Sequence, residues 1–420
     1  MPDPCIGTGI WKRMSPVVAR SRFDPGLTEA QETFRERGQV MGTIAGGEVL
    51  KKEEAEKALF PAPDLPGGGQ LEIRMEVSAN HPDPDVLEVA RRYRPYNLES
   101  WHGEWTRVAE KNEELAAGFE SEERKVTAHE FYRRAAHFYR QAVVYLPESD
   151  PRMFPTYDRL KEMFDKTWSL VPAPFERVEI PYEGRILDGL FYVPRGKPGE
   201  RFPVVYNYAG ADGILLRGDE GGAGANQYVR RGMAFIDIDG PGHGATLRLK
   251  KLYAPPDSER VARAVIDYLV GRSDVDPNRI AIHGSSMGGY AAPRCATAEK
   301  RIKAVAVWAG AYSLREDIFD YYPPIQDRLR WLIGAKNLTE ARRKIAEFTL
   351  DGKADRIECP MLIGYSTDDR IMDPRGALRL YEKAVNSKRE MVDGVGHGEK
   401  RFDRKSYLAD WFMKQLGAGK

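Results

Sequence analysis

Gly284-Ser285-Ser286-Met287-Gly288 sets a serine among small residues. The apolar run Arg279-Ile280-Ala281-Ile282-His283 precedes it, and Gly289-Tyr290-Ala291-Ala292 follows. A buried strand that turns sharply into a helix gives this G-x-S-x-G spacing a mechanical meaning. The small residues let the chain turn so tightly that the Ser286 hydroxyl projects from the end of a sheet, where it can attack a carbonyl carbon. The start of the helix then points backbone N–H groups at the oxyanion that forms. Gly and Ser are common, so the string carries little by itself. A base and an acid must follow it in the chain.

A serine hydroxyl is a poor nucleophile at neutral pH until a neighbouring imidazole takes its proton. The seven histidines stand at 81, 102, 129, 137, 243, 283 and 397. Only His397 follows a late strand, in Met391-Val-Asp-Gly-Val-Gly-His-Gly, a Gly-rich loop able to fold over a sheet edge. His129 and His137 fall in a helical region, and His283 ends the strand before the serine, where a core role is expected. The imidazole in turn needs a carboxylate to fix its tautomer. The loop Ser366-Thr-Asp-Asp-Arg-Ile-Met-Asp-Pro offers Asp368, Asp369 and Asp373, the last placed to cap a helix that opens at Pro374. Two donors are needed for the oxyanion: the N–H of Met287, and one from Ala209-Gly-Ala-Asp-Gly, where Ala211 is the first choice and Gly210 lies adjacent.

These residues need a scaffold that delivers them to one edge. Phe175–Pro181 and Arg185–Val193 alternate with period two around Gly184, which predicts a β-hairpin. Strands are then expected at Pro203–Tyr208, Met233–Ile238, Arg279–His283, Ile302–Trp308, Pro360–Tyr365 and Arg389–Val392. Between two of them, Arg260–Val270 has the spacing of an amphipathic helix. Strands alternating with helices imply a mostly parallel sheet covered on both faces, with ligands bound beyond the carboxyl ends of the strands. Ahead of the sheet, helices are expected at Val108–Phe119, Thr127–Leu146 and Met153–Trp168. The stripe of Phe131, Ala135, Phe138, Ala142 and Tyr145 is expected to form helix-on-helix core. Three regions result: an N-terminal extension over 1–80, partly irregular but with a short charged helix over Glu48–Leu59; a helical domain over 81–172; and the sheet domain over 173–420.

Composition narrows the class. The chain has 420 residues, with 64 basic and 63 acidic, so no global field favours nucleic acid or an anionic membrane. Its three cysteines, Cys5, Cys295 and Cys359, lie far apart, which rules out a disulfide framework or a Cys-rich zinc site and fits a reducing compartment. Neither an apolar leader nor an 18-residue apolar run occurs. A soluble cytoplasmic protein is expected, with no metal and no cofactor.

The serine motif, the acid loop and the late histidine together resemble the α/β-hydrolase superfamily, whose acid loop commonly reads Asp-x-apolar-apolar. Asp369-Arg370-Ile371-Met372 fits that pattern best, with Asp368 second, and the order Ser286, Asp369, His397 is the superfamily's own. The turn Asp239-Gly-Pro-Gly-His-Gly resembles one that hydrolases carry as architecture, so His243 is expected to be structural. The helix around Tyr132-Arg-Arg-Ala-Ala, the Gly210-Ala-Asp-Gly loop and Gly394-Val-Gly-His narrow the resemblance further. They point to the branch of FrsA-like esterases, 2,6-dihydroxypseudooxynicotine hydrolase and fungal polyketide-shortening hydrolases, over roughly 85–417. That resemblance implies an α/β-hydrolase fold with a helical cap over the site, and homodimers. It also implies a small-molecule carbonyl substrate, an aromatic or polyketide-like ketone cleaved at a carbon–carbon bond. A carboxylesterase or lactonase is the second reading, and a hydrolase-fold binding protein or cyclase the third. Carbon–carbon cleavage asks for a polar anchor beyond the triad, for which Glu316 and Asp317 are candidates.

Overall fold

The computed structural model describes residues 83–95, 97–217, 224–397 and 404–418. The extension expected over 1–80 and its short helix lie outside them.

Four helices come first: α1 Pro84–Arg92, α2 Leu98–Ser121, α3 Lys125–Val144 and α4 Met153–Leu170. Side-chain caps open the first two. Asp83 accepts the Asp85 N–H at 2.9 Å and Asn97 accepts the Ser100 N–H at 2.7 Å, each meeting a donor the helix cannot use itself. The aromatic stripe on α3 is core, as expected: Ala135, Phe138 and Ala142 are buried, and the Phe138 ring stacks on Trp105 at 5.8 Å between centroids.

The chain then enters the sheet through β1 Glu176–Tyr182 and β2 Arg185–Tyr192. Glu183 and Gly184 both take positive φ, 48° and 72°, the backbone a two-residue hairpin turn demands. There follow β3 Phe202–Tyr208, α5 Ala225–Val229, β4 Ala234–Ile238, α6 Gly244–Arg248, α7 Glu259–Val270, β5 Val275–Ser285 and α8 Met287–Ala296. After β6 Ile302–Trp308 comes a π-helix, Arg315–Phe319, then α9 Gln326–Leu332, α10 Leu338–Ile345, β7 Met361–Tyr365, α11 Pro374–Lys383, β8 Arg389–Asp393 and α12 Arg404–Leu416.

The eight strands lie in the order β1-β2-β4-β3-β5-β6-β7-β8. β1 and β2 pair antiparallel, as do β2 and β4, and the remaining neighbours are parallel. β3 and β4 are buried at every position, which a parallel strand covered on both faces requires. The expected α/β-hydrolase fold is the fold found. Its carboxyl edge gathers the ends of β3, β5, β7 and β8, the strands that precede the loops carrying Gly210, Ser286, Asp369 and His397.

Candidate active site

Ser286 stands between β5 and α8 with φ 57° and ψ −125°, a backbone conformation that costs a non-glycine residue energy and that surrounding structure must impose. Its N–H donates to the Trp308 carbonyl at 2.9 Å, and its carbonyl accepts the Gly289 N–H at 2.7 Å. The flanking glycines are steric necessities. A Cβ on Gly284 would run into the Gly288 carbonyl, and a Cβ on Gly288 would run into the carbonyl of Tyr208 at the end of β3. The elbow is therefore held against the neighbouring strand by backbone contact.

His397 lies in the loop after β8 with its side chain 11 % exposed. Its Nε2 is 3.0 Å from the Ser286 Oγ, and its Nδ1 is 2.9 Å and 3.1 Å from the two Asp369 carboxylate oxygens. Asp369 is buried in the loop after β7, and its Oδ1 also accepts the N–H groups of Ile371 and Met372, both at 2.9 Å. Those two bonds hold the carboxylate in position. The structure thus brings Ser286, His397 and Asp369 into one hydrogen-bonded row. Such a row can carry a proton from the hydroxyl to the imidazole and stabilise the imidazolium.

The loop after β3 closes the other side. A Cβ on Gly210 would sit 3.3 Å from the Ser286 Cβ and 3.9 Å from its Oγ, so the backbone of this loop passes directly beside the hydroxyl. The Gly213 N–H donates to the Gly210 carbonyl at 2.9 Å, turning the loop. Ala211 and Met287 are buried. No acceptor among the described residues takes either N–H. Met287 opens α8, where N–H groups have no acceptor within the helix.

A model of the FrsA-like esterases matches residues 70–314, more than half of the chain. The chain belongs to the FrsA-like esterase family. It is also similar to the hydrolase LUC6 of a Fusarium species, at 30 % identity over 69 % of this chain and 79 % of that one. The 20-hydroxy-prefusarin hydrolase FUS2 of Gibberella moniliformis is 29 % identical over 69 % and 78 %. A prolyl oligopeptidase family model also matches residues 226–419. Among solved structures, 2,6-dihydroxy-pseudo-oxynicotine hydrolase superposes with a TM-score of 0.68 at 23 % identity, over 81 % of this chain and 95 % of that one, a likeness of fold.

Other residues of this FrsA-like chain support the row, some as the sequence led one to expect and some in tasks that sequence alone does not assign. Asp368, the second candidate acid, holds the histidine loop: its Oδ1 accepts the Ser366 hydroxyl and, at 2.9 Å, the Gly396 N–H. The Ser366 bond keeps its carboxyl below the usual range. Asp373 accepts the Arg375 N–H at 2.9 Å and caps α11. The Tyr321 hydroxyl, absent from the sequence reading, donates to the Asp369 carbonyl at 3.0 Å. His283 is buried, with Nδ1 3.1 Å from the Asn207 Oδ1, and burial pulls its pKa down to about 3. His243 is buried as well, held near 4 by burial, and its ring packs under the Gly213 turn.

Glu316 and Asp317 are engaged in ways that do not suit a substrate anchor. Glu316 is exposed and pairs with Arg379 at 2.9 Å. Asp317 is buried, and its Oδ2 accepts the N–H groups of Tyr312 and Ser313 at 2.6 and 2.9 Å. One carboxylate ties down a surface arginine and the other closes the turn after β6. Among the described residues no group of three or more His, Cys, Asp or Glu is arranged to hold a metal, and no helix is long and apolar enough to cross a membrane.

Proposed function

We propose that Ser286, His397 and Asp369 form a catalytic triad that hydrolyses a carbonyl compound, an aromatic or polyketide-like ketone cut at the bond between its carbonyl carbon and the neighbouring carbon. The observation that carries this is the row itself: Ser286 Oγ to His397 Nε2 at 3.0 Å and His397 Nδ1 to Asp369 at 2.9 Å, at a strained elbow beside two backbone N–H groups that no described residue accepts.

As the Oγ–C bond forms, the hydroxyl proton passes to His397 Nε2. The carbonyl π electrons move to the oxygen, which the Met287 and Ala211 N–H groups hold. Collapse of this adduct restores the C=O and breaks the C–C bond. The electron pair leaves with carbon as an enolate or an electron-rich ring carbon and takes the proton from His397. Water, deprotonated by His397, then attacks the acyl-serine to release a carboxylic acid and regenerate the hydroxyl. The same groups cleave an ester when the leaving atom is oxygen, and the esterase description of the matching family favours that second reading.

The helices over 81–172 act in this reading as a cap. Arg140 of α3 and Tyr145, which caps its C-terminus, both bond to Asp212 of the oxyanion loop, at 3.1 and 3.3 Å. By family resemblance the working unit is a homodimer, which light scattering tests. The chemical test is labelling with a fluorophosphonate: wild type is labelled at Ser286, and Ser286→Ala loses labelling and turnover together. An unlabelled wild type sinks the nucleophile. A panel of 4-nitrophenyl esters, acylphenols and β-diketones divides the two bond types, and turnover of esters alone removes the ketone reading.

A further inference from the structure

Under the oxyanion loop the structure collects hydrogen-bond donors that find no acceptor among the described residues. Arg248, on α6, is only 1 % exposed, yet its Nε and one Nη have no partner among the described residues. The same is true of the Nε of Arg328 on α9, the indole N–H of Trp331 and the hydroxyl of Tyr157. These groups share one locality. The Arg248 and Arg328 guanidinium groups both lie over the Trp331 ring, each 5.3 Å from its centroid, and Arg248 also lies 5.7 Å over the Tyr157 ring. His243 connects the cluster to the elbow, because its ring packs against Gly213, whose N–H is bonded to Gly210 beside Ser286.

Buried donors are almost always satisfied, and a concentration of unused ones calls for an acceptor. The charges point the same way. Neither Arg248 nor Arg328 makes an ion pair among the described residues. The carboxylates whose fields reach them are Asp239, Asp212 and Asp327, and each makes a bond elsewhere. Asp239 accepts the N–H groups of Leu215 and Ala245, Asp212 accepts the Tyr145 hydroxyl, and Asp327 pairs with Arg330. Burial and the adjacent Arg328 pull Arg248 down to about 9, which leaves it protonated at neutral pH. Guanidinium is also the group whose planar fork matches two oxygens at once.

We infer that Arg248 and Arg328 form a recognition site for an anionic oxygen of the substrate, either a carboxylate or the enolate of a 1,3-dicarbonyl compound, beside the indole N–H of Trp331 and the hydroxyl of Tyr157. This names the substrate class and rests on the reading of Ser286 as nucleophile, since the site's neighbour is the carbonyl that Ser286 attacks. A neutral ester leaves these donors unanswered.

The test is equilibrium binding by calorimetry on Ser286→Ala protein, which needs no turnover. Two matched pairs serve as probes: dehydroacetate, a planar enolate, with its neutral O-methyl ether, and benzoate with methyl benzoate. At least one anion is expected to bind about tenfold or more tightly than its neutral partner. Adding Arg328→Gln or Arg248→Gln should cut that preference about fivefold or more, the scale of losing a hydrogen bond to a charged group. The preferred pair identifies the oxygen as enolate or carboxylate. Equal binding of both members in both pairs, or a full preference retained in Arg328→Gln, overturns the inference. Should the buried Arg248 variant fail to fold, the half-buried Arg328 and the Ser286→Ala background alone still decide. Failure of fluorophosphonate labelling strikes the nucleophile and leaves this binding result untouched.

Discussion

Two adjacent carboxylates, Asp368 and Asp369, do different work because one is buried and the other faces a loop. Asp369 gives Oδ1 to two backbone N–H groups and both oxygens to His397, while Asp368 secures Ser366 and Gly396. Asn at 369 can keep the backbone bonds through its oxygen but then presents an NH2 to Nδ1, favouring the wrong imidazole tautomer. Asp369→Asn is therefore expected to lower kcat for 4-nitrophenyl acetate about a thousandfold or more, with the melting temperature little changed. Asp368→Asn loosens the histidine loop without touching the imidazole and is expected to cost about tenfold or less. Equal losses in the two variants would show that the acid has been misassigned. The pattern Asp369-Arg-Ile-Met made this choice legible before any geometry. Nothing in the chain announces that Asp368 serves the loop, because its partner Gly396 lies on a different strand end.

Elements were legible where their residues are uniform. β3, β4, β6 and β7 are mostly apolar, broken only by single polar residues such as Asn207, Asp237 and Lys303, and their expected bounds agree with the strands found to within two residues. β5 begins earlier than its apolar run, at Val275, because the edge of β3 pairs with Val275 before a register shift carries it to Ile280. The π-helix Arg315–Phe319 was not legible. Glu316 and Asp317 carry the same group one residue apart, and only tertiary packing decides which turns inward. Burial pushes Asp317 up to about 7 from an ordinary 3.8. The sign follows from linkage: between those values the folded state holds a proton that the unfolded chain has lost. Asp317 thus contributes stability that is fully present below about pH 4 and is lost as pH rises through about 7. Each pH unit in that window removes at most about 1.4 kcal/mol. Urea unfolding of wild type and Asp317→Asn across pH 4 to 8 is expected to show the wild type losing on the order of 3 kcal/mol relative to the variant. Parallel stability curves would mean that the carboxyl is ionised in the folded protein throughout.

At the scale of the whole molecule, the sheet alone does not position the loop after β3 that carries the proposed oxyanion donor. From the sheet side, the Gly213 carbonyl accepts the Gly244 N–H at 3.0 Å, and Gly210 abuts Ser286. From the helical side, α3 reaches Asp212 through Arg140 and Tyr145. A displacement of α3 must therefore shift the backbone donors beside the serine, although none of its residues reacts. Tyr145→Phe keeps the ring that packs on Trp101 at 5.4 Å and deletes only the hydroxyl that bonds to Asp212. Loss of one such bond is expected to slow fluorophosphonate labelling of Ser286 about two- to tenfold. Arg159→Gln provides the comparison. It removes ion pairs with Glu113 and Glu162 elsewhere in the same helical layer, where the Arg159 side chain is 40 % exposed and water and salt weaken the attraction. Its labelling rate is expected to match wild type, with stability altered by less than about 1 kcal/mol. If the two variants label at the same rate, the helices serve only as a roof. If Tyr145→Phe alone slows, they also set the distance between the oxyanion donors and the attacked carbonyl, which makes the helical layer part of the chemistry as well as of substrate selection.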